Sequence, residues 1–136
     1  MNRDRYDVGM RMRRQVLGDE YVDAAFAASD PFSVDFQGLV TEYCWGATWG
    51  RDGLDLPQRS LNVLCIVAAL NRPHEFELHF RGALRNGCTR EQLRETLLQI
   101  AVYAGIPAGV EVFRIARRVL AEVDQIEAEA ADPPVK

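Results

Sequence analysis

Apolar residues recur along most of the chain at the three- and four-residue spacing of amphipathic helices. From Arg5 to Leu17 this pattern is sparse, and Gly18 stands where a first helix should end. A short second helix is predicted from Asp19, and Asp30-Pro31 closes it. The arginines of the first helix are expected to face away from its apolar stripe; they are Arg11, Arg13 and Arg14.

A third helix is predicted from Ser33 to Gly46. Four apolar residues at helical spacing form its expected buried face: Phe36, Leu39, Val40 and Tyr43. Glycines and aspartates then predict a loop from Gly46 to Pro57, in which Trp49 plugs an edge of the core.

Two helices joined by a tight break occupy the middle of the chain. Residues Leu61 to Leu70 place apolar side chains on all sides, which is typical of a helix covered by its neighbours or by another subunit. Pro73 begins the next helix, and Asn86-Gly87 ends it.

Two further helices complete the pattern. Thr89 and Gln92 form a capping-box signature before a helix that ends at Gly105, and a last helix follows Pro107. Residues 126–136 lose the apolar periodicity and are expected to fray. Because β-branched and polar residues alternate nowhere over a useful length, the sequence predicts an all-α fold of six to seven helices.

Composition limits the possible classes of protein. With 136 residues, 48% of them hydrophobic, the chain suits one domain over residues 1–136. A net charge of -4 and a pI near 5.2 argue against a nucleic-acid partner. The N-terminus has no signal-peptide pattern and no apolar run is long enough to cross a membrane, so we expect a cytoplasmic protein. Three cysteines without a C-x-x-C pair predict neither disulfides nor a zinc site.

Candidate chemistry concentrates around one helix. Arg72, Glu75 and His79 stand at i, i+3 and i+7, the spacing of side chains that share a helical face. An imidazole beside a carboxylate is a candidate acid or base, and the alternative is a hydrogen-bonded core histidine. His74 lies in the first turn, where the helix dipole favours an anion, and its alternative is a solvated residue. With two histidines, the chain predicts no metal centre.

Glu42 is a further candidate, because its neighbours Tyr43 and Trp45 indicate a partly buried carboxylate that needs a partner. The alternative is a structural ion pair with Arg59 or Arg72. These two arginines are themselves either structural or a clamp for a carboxylated substrate, since a guanidinium binds carboxylates in a bidentate manner.

Four long strings of this sequence resemble the carboxymuconolactone decarboxylase family, which has an alkyl hydroperoxidase D-like fold. They are RYDVGMRMRRQVLGDEYVD, FQGLVTEYCWGATWGRDGLD, RSLNVLCIVAALNRPHEFELHFRGALRNGCTREQLRE and LLQIAVYAGIPAGVEVFRIA. The hydroperoxidase branch of this fold carries C-x-x-C-x-x-x-H, where this chain has Arg72, Glu75 and His79. A thiol peroxidase would therefore lack its redox pair and depend on Cys65 or Cys44 alone.

The resemblance implies an oligomeric, all-helical protein, a ring-like homohexamer with the active site near a subunit interface. It implies a carboxy-lyase that converts 4-carboxymuconolactone to 3-oxoadipate enol-lactone without a cofactor, in the protocatechuate branch of the β-ketoadipate pathway of aromatic hydrocarbon catabolism. The alternatives are a same-fold enzyme for another lactone or β-keto acid, the thiol peroxidase, and a catalytically silent oligomeric scaffold.

The resemblance also implies positions for the site. His79, Glu42 and Glu75 are the expected catalytic residues, with His79 contacting the oxyanion or delivering a proton and one of the glutamates orienting it. The residues expected to bind the carboxylated lactone are Arg72, Arg59, His74 and Trp45.

Overall fold

A computed structural model describes residues 1–132, and all regular structure in that range is helical. Its seven helices are α1 (Arg3–Leu17), α2 (Asp19–Ala27), α3 (Val34–Leu39), α4 (Leu56–Ala69), α5 (Pro73–Arg85), α6 (Arg90–Tyr103) and α7 (Ile106–Ala131). The all-α prediction is confirmed. None of the helices in residues 1–132 is long and apolar enough to cross a membrane.

The C-terminal tail divides at the limit of the described residues. Of the predicted fraying segment 126–136, the part up to Ala131 continues α7 as a helix. Residues 133–136 lie outside the described part of the chain. The fraying itself stays a prediction.

Local signals set most helix ends where the sequence places them. At the start of α6, the Gln92 N–H donates to Thr89 Oγ1 at 3.1 Å and the Thr89 N–H donates to Gln92 Oε1 at 2.9 Å, so the predicted capping box is present. At the end of α1 and just beyond α5, Gly18 and Gly87 each have a φ of 89°. Only glycine adopts this left-handed geometry without strain, so both predicted helix ends are confirmed.

The third predicted helix differs from expectation, because α3 continues without interruption into a π-helical segment, Val40–Trp49. The Gly50 N–H donates to the Trp45 carbonyl at 3.1 Å, a hydrogen bond across five residues. This wider turn changes which side chains face inward. Residues four apart now share the buried face: Thr41, Trp45 and Trp49.

Two predictions for this region are therefore wrong. The expected buried stripe lies largely in solvent, with Phe36 63%, Leu39 60% and Tyr43 71% exposed. The loop predicted from Gly46 onward begins only after Trp49, because the π-helical segment continues to that residue.

Two apolar clusters form the core. The larger one fills the space between α4, α5, α6 and α7, and the smaller one joins α1 and α2 to the π-helical segment. Helix α5 belongs to both, since Phe76 and Phe80 are buried in the larger cluster while Leu78 packs against the smaller. This double contact places the side chains of α5 next to the π-helical segment.

Helix α1 packs on the π-helical segment at backbone-to-backbone distance. A Cβ atom on Gly9 would lie 1.9 Å from the Thr41 carbonyl oxygen, and one on Gly46 would lie 2.1 Å from the Arg5 carbonyl oxygen. The contact thus requires glycine on both sides. It also buries Arg13, which is only 5% exposed, so the prediction that this arginine faces away from the packed side is wrong.

Candidate functional site

The side chain of His79 lies against both tryptophans of the chain. Its ring centroid is 6.0 Å from the Trp45 ring and 6.0 Å from the Trp49 ring, with interplanar angles of 13° and 16°. The two indoles also stack on each other, with centroids 4.9 Å apart. We call Trp45, Trp49 and His79 the ring cluster.

The π-helical register creates this cluster. Two residues four positions apart lie side by side on one face of the wider π turn, and both indoles are nearly inaccessible, Trp45 at 3% and Trp49 at 5% exposure. Helix α5 supplies the third ring, because His79 follows Leu78, which packs on the same small cluster.

Burial in the ring cluster controls the charge of His79. Desolvation lowers the pKa of His79 to about 4, and the negative charge of Glu75 on the preceding turn raises it in part. His79 is therefore neutral at pH 7. Its Nδ1 atom is buried without a hydrogen-bond partner among residues 1–132. A neutral imidazole offers one donor and one acceptor, so one of these two hydrogen-bonding positions is unmet within the described residues.

Arg59 is the second residue with a buried, unsatisfied atom beside the small cluster. On α4 it lies between Leu56 and Val63, both of which pack against that cluster. One guanidinium nitrogen, Nη2, donates to the Arg51 carbonyl at 3.2 Å. The Nε atom is buried and has no hydrogen-bond partner within the described range. A guanidinium held in this way suits a carboxylate ligand.

Two predicted residues stand at the exposed start of α5. His74 and Glu75 follow Pro73 in its first turn, and both are exposed. The unpaired backbone N–H groups of a helix start favour an anion there. Glu75 is the carboxylate that the structure brings near His79, as its effect on the pKa of His79 indicates.

Two other predicted residues point elsewhere within the chain. Arg72 is the N-cap of α5, and its φ of -117° and ψ of 73° take it off the helical path. It lines a cavity of about 20 Å³ with Phe76 and Glu111, away from the ring cluster. The expectation that Arg72, Glu75 and His79 share one face holds only for the last two.

Glu42 lies in the first turn of the π-helical segment, where that segment meets the start of α1. Its Oε1 accepts a hydrogen bond of 2.7 Å from the Asn2 N–H. It also lines a cavity of about 500 Å³ with Tyr6 and Phe26. Neither the expected contact with His79 nor the alternative ion pair with Arg59 or Arg72 is among its hydrogen bonds.

A groove between α4 and α6 encloses about 510 Å³ and contains none of the predicted site residues. Cys65 lines it together with Leu61 and Tyr103. Partial burial raises the pKa of the Cys65 thiol, which disfavours the reactive thiolate. The same holds for Cys44, whose pKa is also raised by burial. The geometry thus offers no activated thiol for a peroxidase.

Sequence reasoning missed the positions of two residues, one in the ring cluster and one on α1. Trp49 was expected to plug the core edge from a loop, whereas it stacks on His79. Arg13 was expected to face away from the apolar stripe of the first helix, whereas it is buried and donates to Thr41 of the π-helical segment. The four-residue spacing of Thr41, Trp45 and Trp49 gave no signal for the first, because residues four apart share one face of an α-helix as well.

Comparison of the sequence with known proteins identifies a family for this chain. The profile of the Carboxymuconolactone decarboxylase family matches residues 35–118, a range that contains every predicted site residue. The nitrosuccinic acid decarboxylase npaB of Metarhizium robertsii is 39% identical over 120 residues, covering 88% of this chain and 84% of the relative. A 4-carboxymuconolactone decarboxylase of Acinetobacter baylyi is 34% identical over 119 residues, covering 88% of this chain and 89% of the relative. By the extent of both the family match and these relatives, the chain belongs to the carboxymuconolactone decarboxylase family.

Proposed function

We propose that this protein is a cofactor-independent carboxy-lyase that decarboxylates 4-carboxymuconolactone to 3-oxoadipate enol-lactone. Family membership and two relatives that are named decarboxylases support the reaction class. The single observation that carries the proposal is the neutral His79, packed on two indoles with a buried and unpartnered Nδ1.

The substrate itself explains why no cofactor is needed. Its departing carboxylate sits on the γ-carbon of a butenolide ring, conjugated through the ring alkene to the lactone carbonyl. Loss of carbon dioxide therefore moves the electron pair into an oxyfuran-like dienolate, and protonation at the α-carbon gives the enol-lactone. The protein has to bind a dianion, desolvate the departing carboxylate and stabilise the developing oxyanion.

We assign the oxyanion contact to His79. A neutral imidazole donates a hydrogen bond without the competing attraction that a cation exerts on the departing carboxylate, and the lowered pKa of His79 favours this role over proton delivery. The indole faces of Trp45 and Trp49 exclude water from one side of the imidazole. Glu75 then serves to tune the charge and orientation of His79.

Binding of the second carboxylate falls to Arg59, whose Nε is buried and unsatisfied. His74 supplies a contact at the start of α5.

The same site was expected to include Arg72, Glu42 and Trp45. We propose that Arg72 and Glu42, which lie away from His79 within one chain, join the site across a subunit interface of a homohexamer, with Trp45 acting as the wall behind His79. The enzyme then works in the cytoplasm, in protocatechuate catabolism.

Nitrosuccinic acid is the second candidate substrate, because the relative named for it shares 39% identity with this chain. Both acids are small dianions. In each, the carbon that loses carbon dioxide is linked to an electron acceptor, a nitro group in one and an unsaturated lactone in the other. The same oxyanion contact and the same guanidinium clamp serve either reaction, so the reaction class is common to both candidates.

The test is a direct assay of purified protein with enzymatically generated 4-carboxymuconolactone and, separately, with nitrosuccinate. We expect spectrophotometric loss of the lactone with formation of the enol-lactone, at a kcat/KM at least about tenfold above that for nitrosuccinate. Activity should persist after treatment with EDTA and after dialysis, since the substrate supplies its own electron acceptor.

Preferential turnover of nitrosuccinate would move the proposal to the second substrate. Turnover of neither acid, by protein that is folded and assembled, would overturn the proposed function. Complete loss of activity on chelation, with recovery on adding a metal ion, would overturn the mechanism.

A further inference from the structure

Arg13 is a buried cation whose hydrogen-bond acceptors are both neutral. Its side chain is 5% exposed, and its guanidinium carbon lies 5.4 Å from the centre of the Phe26 ring. Nη1 donates to Thr41 Oγ1 at 3.2 Å and Nη2 donates to Gln37 Oε1 at 2.8 Å, while Nε has no partner within residues 1–132. A buried charge kept with so few partners is costly, which indicates a role beyond stabilising the fold.

The two acceptors lie on either side of the junction at which α3 becomes π-helical. Gln37 belongs to the last turn of α3, and Thr41 belongs to the first turn of the π-helical segment. The Thr41 hydroxyl also donates to the Gln37 carbonyl at 2.8 Å, so its remaining lone pairs accept from Arg13. The guanidinium thereby links the last α-helical turn to the first π-helical turn at the junction between them.

The change of register is what brings the indoles to His79. Thr41, Trp45 and Trp49 share the buried face of the π-helical segment, whose wider turn sets the angle between the two indoles on that face. The glycine contacts of Gly9 and Gly46 fix how closely α1 approaches this segment, and Arg13 follows Gly9 by one turn on the same helix. Arg13 is thus the polar end of the same contact.

We propose that Arg13 is a positioning residue, which holds the π-helical register of residues 40–49 and through it the stacking of Trp45 and Trp49 on His79. It acts through the segment and touches no substrate. This positioning role extends the function proposed above. Only its kinetic test depends on that function. Its main readout is spectroscopic and needs no substrate.

The spectroscopic test uses the two tryptophans of the chain. Both of its two tryptophans stack on His79, and an imidazolium in contact with an indole quenches indole fluorescence whereas neutral imidazole does so far less. Tryptophan fluorescence therefore reports the protonation of His79. Among the charged groups on the elements packed at the ring cluster, Glu75 on α5 is the one whose charge acts on His79.

The experiment compares the pH dependence of tryptophan fluorescence in the wild-type protein and in Arg13→Met, from about pH 8 to about pH 5. In the wild type, burial keeps the pKa of His79 at about 4, so its fluorescence should stay constant in this range. Methionine keeps the apolar length of the side chain and removes the two donors. If the register then relaxes, water reaches His79, its pKa rises from about 4 towards its ordinary value of 6.5, and fluorescence falls with a midpoint inside the range.

Two further variants separate positioning from general stability. Arg14→Met changes the neighbouring arginine, which pairs at the surface with Asp19 at 3.2 Å and Asp23 at 2.8 Å. We expect it to keep the flat wild-type fluorescence profile. Thr41→Val removes the shared hydroxyl at similar volume and should reproduce the Arg13→Met titration. The double variant should shift no further than either single one, because both break the same link.

The kinetic readout follows the same logic. Arg13→Met should lower kcat for the lactone by about tenfold or more with a smaller change in KM, since the oxyanion contact is displaced while the carboxylate clamp at Arg59 remains. If the wild type shows no lyase activity but Arg13→Met and Thr41→Val acquire the titration, the proposed function fails and the positioning role stands. If Arg13→Met folds and Thr41→Val folds, yet both keep the flat profile, the positioning role is overturned. Should Arg13→Met not fold, the Thr41→Val profile alone decides in the same way.

Discussion

At the scale of single residues, His79 concentrates the predicted chemistry because its environment sets its charge. Packing on two indoles removes water from the imidazole and favours the neutral form, while Nδ1 stays without a partner in the described residues. A core histidine kept only for packing would be expected to have this buried atom hydrogen-bonded. The sequence left a catalytic and a structural interpretation of His79 open, and the unsatisfied atom is the reason for testing the catalytic one.

Replacing His79 tests the assigned role. His79→Ala should lower kcat by about 10²-fold or more with little change in KM, because an oxyanion contact acts mainly in the transition state. His79→Gln keeps an N–H donor of similar reach and should recover part of the lost kcat. Steady-state kinetics on both variants provide the measurement.

The control for His79 is stability, measured as the denaturation midpoint of each variant at equal protein concentration. A structural histidine would lose activity only in proportion to the folded fraction. A folded and assembled His79→Ala protein with nearly full activity would show that the assignment to His79 is wrong.

The sequence indicated His79, Glu75 and Arg59 but not the geometry that joins or separates them. The spacing of Arg72 and His79 on an ideal helix predicts a shared face, yet Arg72 is the N-cap, where the backbone leaves the helical path. Burial of Arg13 was equally unpredictable, since it depends on a close approach of α1 to a distant segment. Helical periodicity describes residues inside one element, so it fails for Arg72 at the N-cap, and it does not report the long-range contact that buries Arg13 inside α1.

At the scale of elements, ends were predictable where the interactions that determine them are local. The capping box at Thr89 and Gln92 and the left-handed Gly87 involve residues within four positions of one another. The π-helical segment depends instead on α1, whose Gly9 and Arg13 meet it from about 30 residues away in sequence. Its register was therefore beyond any pattern read over a short window.

Two glycine substitutions test the contact of α1 with the π-helical segment. In Gly46→Ala the new Cβ would lie 2.1 Å from the Arg5 carbonyl oxygen, so the helices must separate, at a cost of about 2 kcal/mol or more in unfolding free energy. Gly38→Ala is the matched control in α3, because no heavy atom lies within 4 Å of its Cβ position. It should be neutral or stabilising by up to about 1 kcal/mol.

Urea denaturation of both proteins and the wild type, at one protein concentration, measures these differences. Equal midpoints for the two variants would contradict the close contact at Gly46. Tryptophan fluorescence of Gly46→Ala in the folded state adds a second measure, because loosening of this contact should also shift the emission of Trp45 and Trp49.

At the scale of the whole molecule, the chain exposes more surface than a compact monomer of its size. Its accessible area is 9001 Å². A monomer of 15.3 kDa is expected to expose about 7,100 Å², so the excess is about 1,900 Å². The last turns of α7, which are exposed on all sides, contribute part of it. The rest of this excess area is comparable to what subunit interfaces bury, about 800 Å² per partner for each standard interface.

Large exposed apolar side chains mark two separate surfaces. One lies beside the groove between α4 and α6, and its members are Ile66, Leu70, Val102, Tyr103 and Ile106, which are 56% to 85% exposed. The other runs from the turn before α3 into the π-helical segment, and its members Phe32, Phe36, Leu39 and Tyr43 are 60% to 98% exposed. Apolar patches of this kind on a monomer indicate interaction surfaces. Subunits that pair through one surface and associate through the other form a closed ring where the rotation between them closes.

The two surfaces predict an oligomer, and the family resemblance implies a hexamer, so we expect a mass near six times the 15.3 kDa of the chain by multi-angle light scattering. Tyr103→Glu and Tyr43→Glu place a charge on one surface each, and each should yield a smaller species because a buried unpaired carboxylate is costly. The two species should differ if the surfaces form different interfaces. A wild-type protein that stays monomeric at micromolar concentration would contradict this assembly, and with it the proposal that Arg72 and Glu42 reach the site of a neighbouring subunit.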